Sequence, residues 1–520
     1  MIKGYEKLKK LNKSKLSIPR KAQDIVEADT IYKDGIFKLG NRYSMTYRFK
    51  DVNYSIASKA QKVNLFLDYS ELLNSLDSST MSKITINNRK INIKDFKSEI
   101  LIPFQQDGLN AYREEYNQML LDKVSGSEDI LQEKYLTVTV FRNNYEEAKA
   151  FFNRTSVELS SHFAKLGSSC ENMDAIERLK VLHDFYRSNE EEFFDFEIND
   201  SARKGHSFKD AICPKAPIFE HKYFRLGDKY GRVLYLSDYA RYIKDSFVSE
   251  ICSLNKNLMF SMDIVTVQTD EAVKEVENRL LGVETNITNW QRKQNSNNNF
   301  SATIPYDMEQ QRHEAKEFLD DLTVRDQRMM FGTITLVHLA DSLEELDADT
   351  QTLMAVARKY MCELSTLAFA SRQLDGLNTV LPLGINKLNI VRTLLTESAA
   401  VFIPFRAQDI MDKKGIWFGQ HAITNNLILC NKENLLNPNS FILGVPGSGK
   451  SFLTKEQIVF IALATNDDIL ICDPEGEYTA LVEMLNGEVI HISAGSKDHI
   501  NAMDMVEGYG DTGNLSLIHI

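Results

Sequence analysis

The sequence predicts an α/β protein: an N-terminal α+β region followed by a P-loop nucleotide-binding domain with a parallel sheet. Three observations predict it. The stretch Gly444-Val445-Pro446-Gly447-Ser448-Gly449-Lys450-Ser451 fits G-x-x-x-x-G-K-[ST] at every position. Three upstream stretches share a plan in which a strand leads into a capped helix. A length of 520 residues, with 43% hydrophobic and 26% charged content, suits a well-cored chain of about three domains.

Residues 1–40 read as a lead segment. Residues 1–21 hold eight Lys/Arg against Glu6 alone, a balance that suits either an anionic membrane surface or a frayed, solvated terminus. There is no run of 18 apolar residues and no apolar stretch behind the first lysines, so neither a spanning helix nor a secretory signal is expected.

Residues 41–375 read as an α+β scaffold or partner-binding region. Tyr135–Phe141 alternates with period two and precedes an acidic helix start at Tyr145. Leu258–Val267 leads to Thr269-Asp-Glu-Ala, an N-cap signature before a helix with Val273, Val276, Leu280 and Leu281 on one face. Met330–His338 leads to Ser342-Leu-Glu-Glu and a helix through about Leu367. The repeated unit suggests a split α+β sheet on one helical layer. His338 closes its strand as a structural histidine. The acid-rich run 184–200 reads as a solvated helix–loop face, and the polar, aperiodic run Gln291–Asn299 as an exposed loop. No catalytic constellation stands out in this region.

Residues 376–438 change to short strands with glycine and proline. Gly415–Gly419 and Ile423–Leu429 predict a hairpin, in which Trp417 packs on the strand or, alternatively, stacks on an adenine. The net charge of −12 speaks against a surface that grips nucleic acid along its whole length, and no sequence-specific contact to nucleic acid is expected. Cys170, Cys213, Cys252, Cys362, Cys430 and Cys472 form no C-x-x-C pair, which argues against zinc and disulfides and suits a reducing cytosol.

Residues 439–520 carry the chemistry. Ser440–Leu443 predicts a short buried strand, and Ser451–Ala464 a helix with Phe452, Leu453, Ile458, Val459, Ile461 and Leu463 as its apolar positions. A strand, a glycine loop and a helix make a phosphate cradle, because loop amides and the positive end of the helix point at one spot. The binding set is Gly444 to Phe452. Lys450 is placed to reach the β- and γ-phosphates of ATP and Ser451 to ligate Mg²⁺. Asp468-Ile-Leu-Ile-Cys-Asp473 then reads as a buried parallel strand delivering a carboxylate to the sheet's mouth, near Mg²⁺ or its waters. Glu477 is the candidate to polarise the attacking water. The alternatives are turn chemistry at Asp473-Pro and Glu-Gly, and a capping role for Glu477.

A series of stretches makes a resemblance specific: Gly376-Leu-Asn-Thr-Val-Leu-Pro382-Leu-Gly384, Phe402-Ile-Pro404-Phe405, Gly415-Ile-Trp-Phe-Gly419, Asn439 to Ser451, Asp473-Pro-Glu-Gly-Glu-Tyr478 and Ile500-Asn501-Ala-Met-Asp504. In order and spacing, from about 370 to 505, they resemble the conjugal-transfer ATPases of type IV secretion systems, TraE-type proteins of the HerA–FtsK group. The resemblance implies a RecA-like ATPase that assembles as an oligomer, a hexamer. It would be cytoplasmic, held at the inner face of the membrane by channel subunits, with indirect links to the DNA relaxase complex. The family's loop lysine and serine fall on Lys450 and Ser451, and its D-P-x-x-E-Y motif on Asp473, Pro474, Glu477 and Tyr478. Members continue to a Walker B strand, a sensor and an arginine finger, so the resemblance implies a chain that stops inside its ATPase domain. Two rival readings are a non-catalytic nucleotide-binding scaffold and a DNA translocase of the same group.

Overall fold

Strands rich in Thr, Tyr, Ile, Val and Met pair edge to edge into one antiparallel sheet, the centre of the first of two compact units. That unit draws on Met1–Glu99, Asp122–Met411 and Gly419–Ile428, and the second on Ile100–Leu121, Asp412–Phe418 and Leu429–Ile520. The computed structural model describes residues 19, 21–90, 93–126, 130–199, 203, 205–240, 242–297, 303–422, 426–435, 437–493 and 495–496. Residues 1–18 and 20 of the expected lead segment and the stretch Ile500–Asp504 lie outside them; residues 21–40 are no lead but part of the first unit, with Ile25, Val26, Phe37 and Leu39 buried.

The chain lays down one plan twice. The first copy runs β1 (Thr30–Ile31), β2 (Phe37–Leu39), β3 (Arg42–Phe49), α1 (Lys59–Ser75), β4 (Thr80–Lys90), α2 (Ile93–Glu99), α3 (Asn110–Gly126), β5 (Ile130–Phe141), α4 (Tyr145–Lys165), β6 (Cys170–Asn172) and α5 (Ala175–Tyr186). The second runs β7 (Ile218–Phe219), β8 (Phe224–Leu226), β9 (Lys229–Asp238), α6 (Ser246–Cys252), β10 (Asn257–Thr266), α7 (Thr269–Ser296), α8 (Tyr306–Thr323), β11 (Met329–Ala340), α9 (Leu343–Lys359), β12 (Glu363–Thr366) and α10 (Ala370–Val380). The sheet order β1-β2-β3-β5-β4-β10-β11-β9-β8-β7 reads the same from either end, with β6 on β3 and β12 on β9, while β13 (Arg392–Leu395) pairs with β11. The two copies meet where β4 pairs antiparallel with β10, Thr85 opposite Ser261. Their first hairpins still match in sequence: Phe37-Lys-Leu-Gly-Asn-Arg-Tyr43 against Phe224-Arg-Leu-Gly-Asp-Lys-Tyr230. Asn144 and Ser342 cap equivalent helices, accepting from the amides of Glu147 (2.9 Å) and Glu345 (3.1 Å). The three similar stretches seen in the sequence are thus parts of a twofold plan. Two of them, β5 and β11, are true equivalents, while β10 corresponds to β4.

Three expectations change. The helix expected to reach Leu367 stops at Lys359. There Met361 turns at φ +56°, and the amides of Met361 and Cys362 bond back to Arg358 and Ala357 at 2.9 and 3.0 Å, freeing β12 to pair with β9. The polar run from Gln291 is not a loop as far as Ser296, because α7 continues through it, antiparallel to α8. Helices also cover both faces of the sheet. One face buries Met45, Ile84, Leu136, Phe260 and Leu336 with α1, α4, α6 and α9; the other packs Val233, Met259 and Val337 with α5 and α10. This is why every residue of β11 is buried.

The middle of that second face is polar, and residues 379–390 cross it as a strap. Lys83 Nζ donates to the carbonyls of Thr379 and Ile385 (3.0 Å to the latter), Ser261 to Val380 (2.5 Å), Thr139 to Gly384 (2.8 Å) and Thr333 to Ile390 (2.6 Å). Arg178, fully buried, spans Gly35, Ser44 and Pro382. The stretch Gly376–Gly384, expected among short strands, is the end of α10 and this strap. The next resembling stretch, Phe402–Phe405, is core: Phe402, Ile403 and Phe405 are buried. Asp51 pins the turn after it by accepting from the amide of Arg406 at 2.8 Å. His338 is buried and bonded to Thr350 Oγ1 at 3.0 Å, and burial pushes its pKa down to about 3, a structural role.

Two outcomes test the strap. At Gly384 the backbone has φ +83°, and a Cβ would stand 2.1 Å from Thr139 Oγ1 and 2.9 Å from Ser44 Cβ. Gly384→Ala should cost about 2–4 kcal/mol of stability, read as a fall in thermal midpoint. Lys83 and Asp263 form a buried pair at 3.2 Å, and burial raises the Asp263 pKa to about 6. Lys83→Met removes the compensating cation and raises it further. A carboxyl whose folded pKa lies above its unfolded value loses stability as pH rises through the folded pKa. Lys83→Met should therefore be tolerated best near pH 4 and cost about 3 kcal/mol at pH 8, while Lys83→Met with Asp263→Leu recovers most of the loss.

Candidate phosphate-binding site

The G-x-x-x-x-G-K-S loop sits at the start of α11 (Lys450–Ala464) in the second unit. Gly449, at φ +88°, is the residue before the first helical turn, and Gly447 has φ +79°. The left-handed backbone at both positions suits glycine and strains other residues. Gly444 is needed for a different reason: a Cβ there would meet Ser448 Oγ at 2.5 Å and Lys450 Cγ at 3.3 Å. The amide of Ser448 bonds to the carbonyl of Val445 at 3.2 Å, closing the turn. The first helical bond after the loop runs from the amide of Leu453 to the carbonyl of Gly449 at 3.0 Å. The amides of Lys450, Ser451 and Phe452 therefore precede the first i→i−4 bond and face the positive end of the helix. Lys450 Nζ folds back onto the carbonyl of Val445 at 3.3 Å, and the Ser451 side chain is exposed. Gly444 to Phe452 thus form one exposed turn that opens α11, carrying loop amides, a lysine and a hydroxyl.

The flanking strands expected of a parallel sheet do not form. Ser440–Leu443 and Asp468–Cys472 carry no strand pairing, and Phe441 is 90%, Leu443 88% and Leu470 97% exposed. A parallel strand holds only between hydrogen-bonding neighbours with both faces covered. Among the described residues the second sheet is the two-stranded pair β14 (Ile416–Gln420) and β15 (Leu427–Cys430), which is the expected hairpin with Trp417 on its first strand. The helix prediction holds to one residue, but its buried side is Gln457, Phe460 and Leu463; Phe452 is 77% exposed.

Asp473 closes a turn. Its Oδ1 accepts from the amides of Glu475 (3.2 Å) and Gly476 (3.0 Å), and its Oδ2 from that of Tyr478 (2.8 Å). The carboxylate thus performs the turn chemistry that competed with the metal role. Glu477 is exposed, and among the described residues no hydrogen bond or ion pair joins it or Asp473 to the loop. Tyr478, just before α12 (Thr479–Met484), lies under Lys455, whose Nζ is 5.3 Å from the ring centroid. Lys455 is one turn on from Ser451. The D-P-E-G-E-Y stretch is therefore brought to the side of the loop's helix. No group of three or more His, Cys, Asp or Glu among the described residues is placed to hold a metal. A magnesium ion here would arrive with phosphates and use Ser451, as this hard cation does at nucleotide sites.

Sequence reasoning missed the far end of α11. Arg113 of α3, fully buried, donates from Nε to the carbonyl of Leu463 at 2.9 Å and from Nη1 to Asp107 at 2.6 Å. The Tyr116 and Phe460 rings lie 5.7 Å apart. These residues precede the loop by more than three hundred positions, and no spacing rule links the two segments.

No protein-family model matches the sequence. The chain is similar to an uncharacterized protein of Bacillus anthracis, pXO2-09, with 22% identity over 298 residues, covering 55% of this chain. The match spans 44% of that relative's length.

Asp473→Ala removes the acceptor for three amides. Amide exchange of residues 475–484 should quicken by an opening free energy of about 1–2 kcal/mol, while α11 keeps its protection. Unchanged exchange there would show that the turn does not depend on the carboxylate.

Proposed function

We propose that this chain is a nucleotide-binding subunit of a conjugative type IV secretion apparatus, with ATP and Mg²⁺ as its ligands and hydrolysis as its chemistry. One observation carries the reading: the glycine loop opens α11, with Lys450 folded over the loop and Ser451 exposed in the first helical turn. Phosphate oxygens would take the place of the Val445 carbonyl on Lys450 Nζ. Ser451 would hold Mg²⁺, whose charge offsets that of the phosphates. Loop amides and Lys450 then stabilise charge on the transferring phosphoryl group. Glu477 is the candidate to orient water. The resemblance extends the proposal to an oligomer, a hexamer, of RecA-like domains attached to channel subunits at the membrane. Among the described residues no helix is long and apolar enough to cross a bilayer.

A second reading, nucleotide binding that locks an assembly without turnover, is favoured by the commitment of Asp473 to backbone amides. Two variants decide. Lys450→Ala should abolish binding of a labelled ATP analogue while leaving the thermal transition in place. The Lys450 side chain is bonded only to the loop it belongs to, so unchanged binding would remove the loop from the mechanism. Glu477→Gln should keep ATP affinity and lower phosphate release by roughly 10²–10⁴ if it orients water. Unaltered release at unaltered affinity would show that Glu477 does not orient water, and absence of release from the wild type at saturating ATP would favour the locking role.

A further inference from the structure

We propose that Arg113 is a positioning residue for the phosphate loop, acting from the opposite end of α11; this rests on the nucleotide reading above. The loop end of the helix is exposed, and its own hydrogen bonds are local: Ser448 to Val445 and Lys450 to Val445. The other end is held. A helix leaves its last carbonyls without intrahelical donors, and a buried one must find a partner. Leu463, whose side chain is fully buried, finds it in the Arg113 Nε–H at 2.9 Å. The guanidinium is then fixed on its remaining sides. Asp107 takes Nη1 at 2.6 Å and also receives Nη2, and Asn110 Oδ1 accepts from Nη1 at 3.0 Å.

That bracket is itself rigid. Asn110 exchanges hydrogen bonds with the backbone of Gln105 at 3.0 and 2.7 Å, and Asn117 with that of Ile102 at 2.9 and 2.9 Å. Segment 100–110 is thereby stapled to α3. The arginine also holds the Asp107 carboxyl well below the usual carboxylate range, chiefly through the hydrogen bonds it donates. A fixed positive charge at this end opposes the negative pole of the helix whose positive pole faces the phosphates.

Geometry sets the size of the effect. A helix of 15 residues is about 22 Å long, so a tilt of roughly 5° about its held end moves the loop by about 2 Å. Misplacement on that scale costs about tenfold or more where several groups must converge on one ligand. Lysine cannot replace the fork, because a single ammonium on a flexible stem does not hold a carboxylate bidentately while reaching a carbonyl.

The test uses the full chain and titrates a fluorescent ATP analogue with Mg²⁺ into wild type, Lys450→Ala, Arg113→Ala, Arg113→Lys and Ile84→Ala. Ile84 lies in the core of the sheet unit, so its variant lowers thermal stability without touching the bracket. Expected results are loss of binding in Lys450→Ala and about tenfold weaker binding in Arg113→Ala. Arg113→Lys should fall between Arg113→Ala and wild type, and Ile84→Ala should match wild type. Amides of residues 450–464 should exchange faster in Arg113→Ala before any nucleotide is added. Wild-type affinity in a folded Arg113→Ala, with Lys450→Ala inactive, overturns the positioning role alone. If Arg113→Ala does not fold, wild-type affinity in Arg113→Lys overturns it. Binding that survives Lys450→Ala overturns the nucleotide reading, and the role of Arg113 falls with it.

Discussion

The sheet unit depends on how the polar middle of one sheet face is satisfied. Thr46, Thr137, Thr139, Lys83, Thr85 and Ser261 are buried there, where an unpaired donor costs as much as a lost core contact. The interior of a helix could not serve, because its carbonyls are spent on its own ladder. The free last carbonyls of α10 and the irregular segment after it can, and residues 379–390 supply them. The buried Arg178 adds a second tie to the same segment through Pro382. This requirement explains the composition of the strap. Pro382 asks nothing of a donor, and Gly384 brings its backbone against Thr139 and Ser44. One of the stretches that resembles the secretion ATPases is therefore accounted for by packing alone, without any ligand.

Much of the first unit was legible because its strands alternate and its helices begin with strong caps. β5, β10 and β11 fall where the three strand-then-helix stretches placed them, and Ser342 caps the helix after β11. What was not legible depends on distant partners. The end of α9 at Lys359 is decided by β9, which offers β12 a ladder that helix periodicity cannot reveal. The second covered face follows from the strap, whose role lies in carbonyls and so leaves little trace in side-chain pattern. The duplication was legible in principle: seven residues from Phe37 and seven from Phe224 align with conservative changes, a self-similarity at long period that a search for repeats finds.

At the candidate site the local chemistry was readable and the support was not. A glycine loop opening a helix is a property of a dozen neighbouring residues, and α11 begins within one residue of its expected start. Strands are different. Ser440–Leu443 and Asp468–Cys472 have the apolar character of buried strands, yet among the described residues they pair with no neighbour, and Phe441, Leu443 and Leu470 are exposed. The surface that does carry α11 comes from residues 100–121, inserted between β4 and β5, where an arginine and a tyrosine in a helix without a marked apolar face gave no sign of their partners.

The turn at Asp473 constrains any mechanism assigned to this site. A carboxylate has about four lone-pair sites, and three of them here face the amides of Glu475, Gly476 and Tyr478. One site on Oδ2 remains for a water or a cation. If that site is used while the turn stays closed, Asp473 acts with its geometry fixed by the backbone, and Glu477 is held at a set distance along the same turn. If more of the carboxylate is drawn to a ligand, the amides of Glu475 and Gly476 lose their acceptor, and Glu477 and Tyr478 move together. Tyr478 is already tied to α11 through Lys455. The same short stretch thus links the loop's helix to the candidate water-orienting carboxylate, and opening of the turn is the step by which ligand binding would be felt at Glu477.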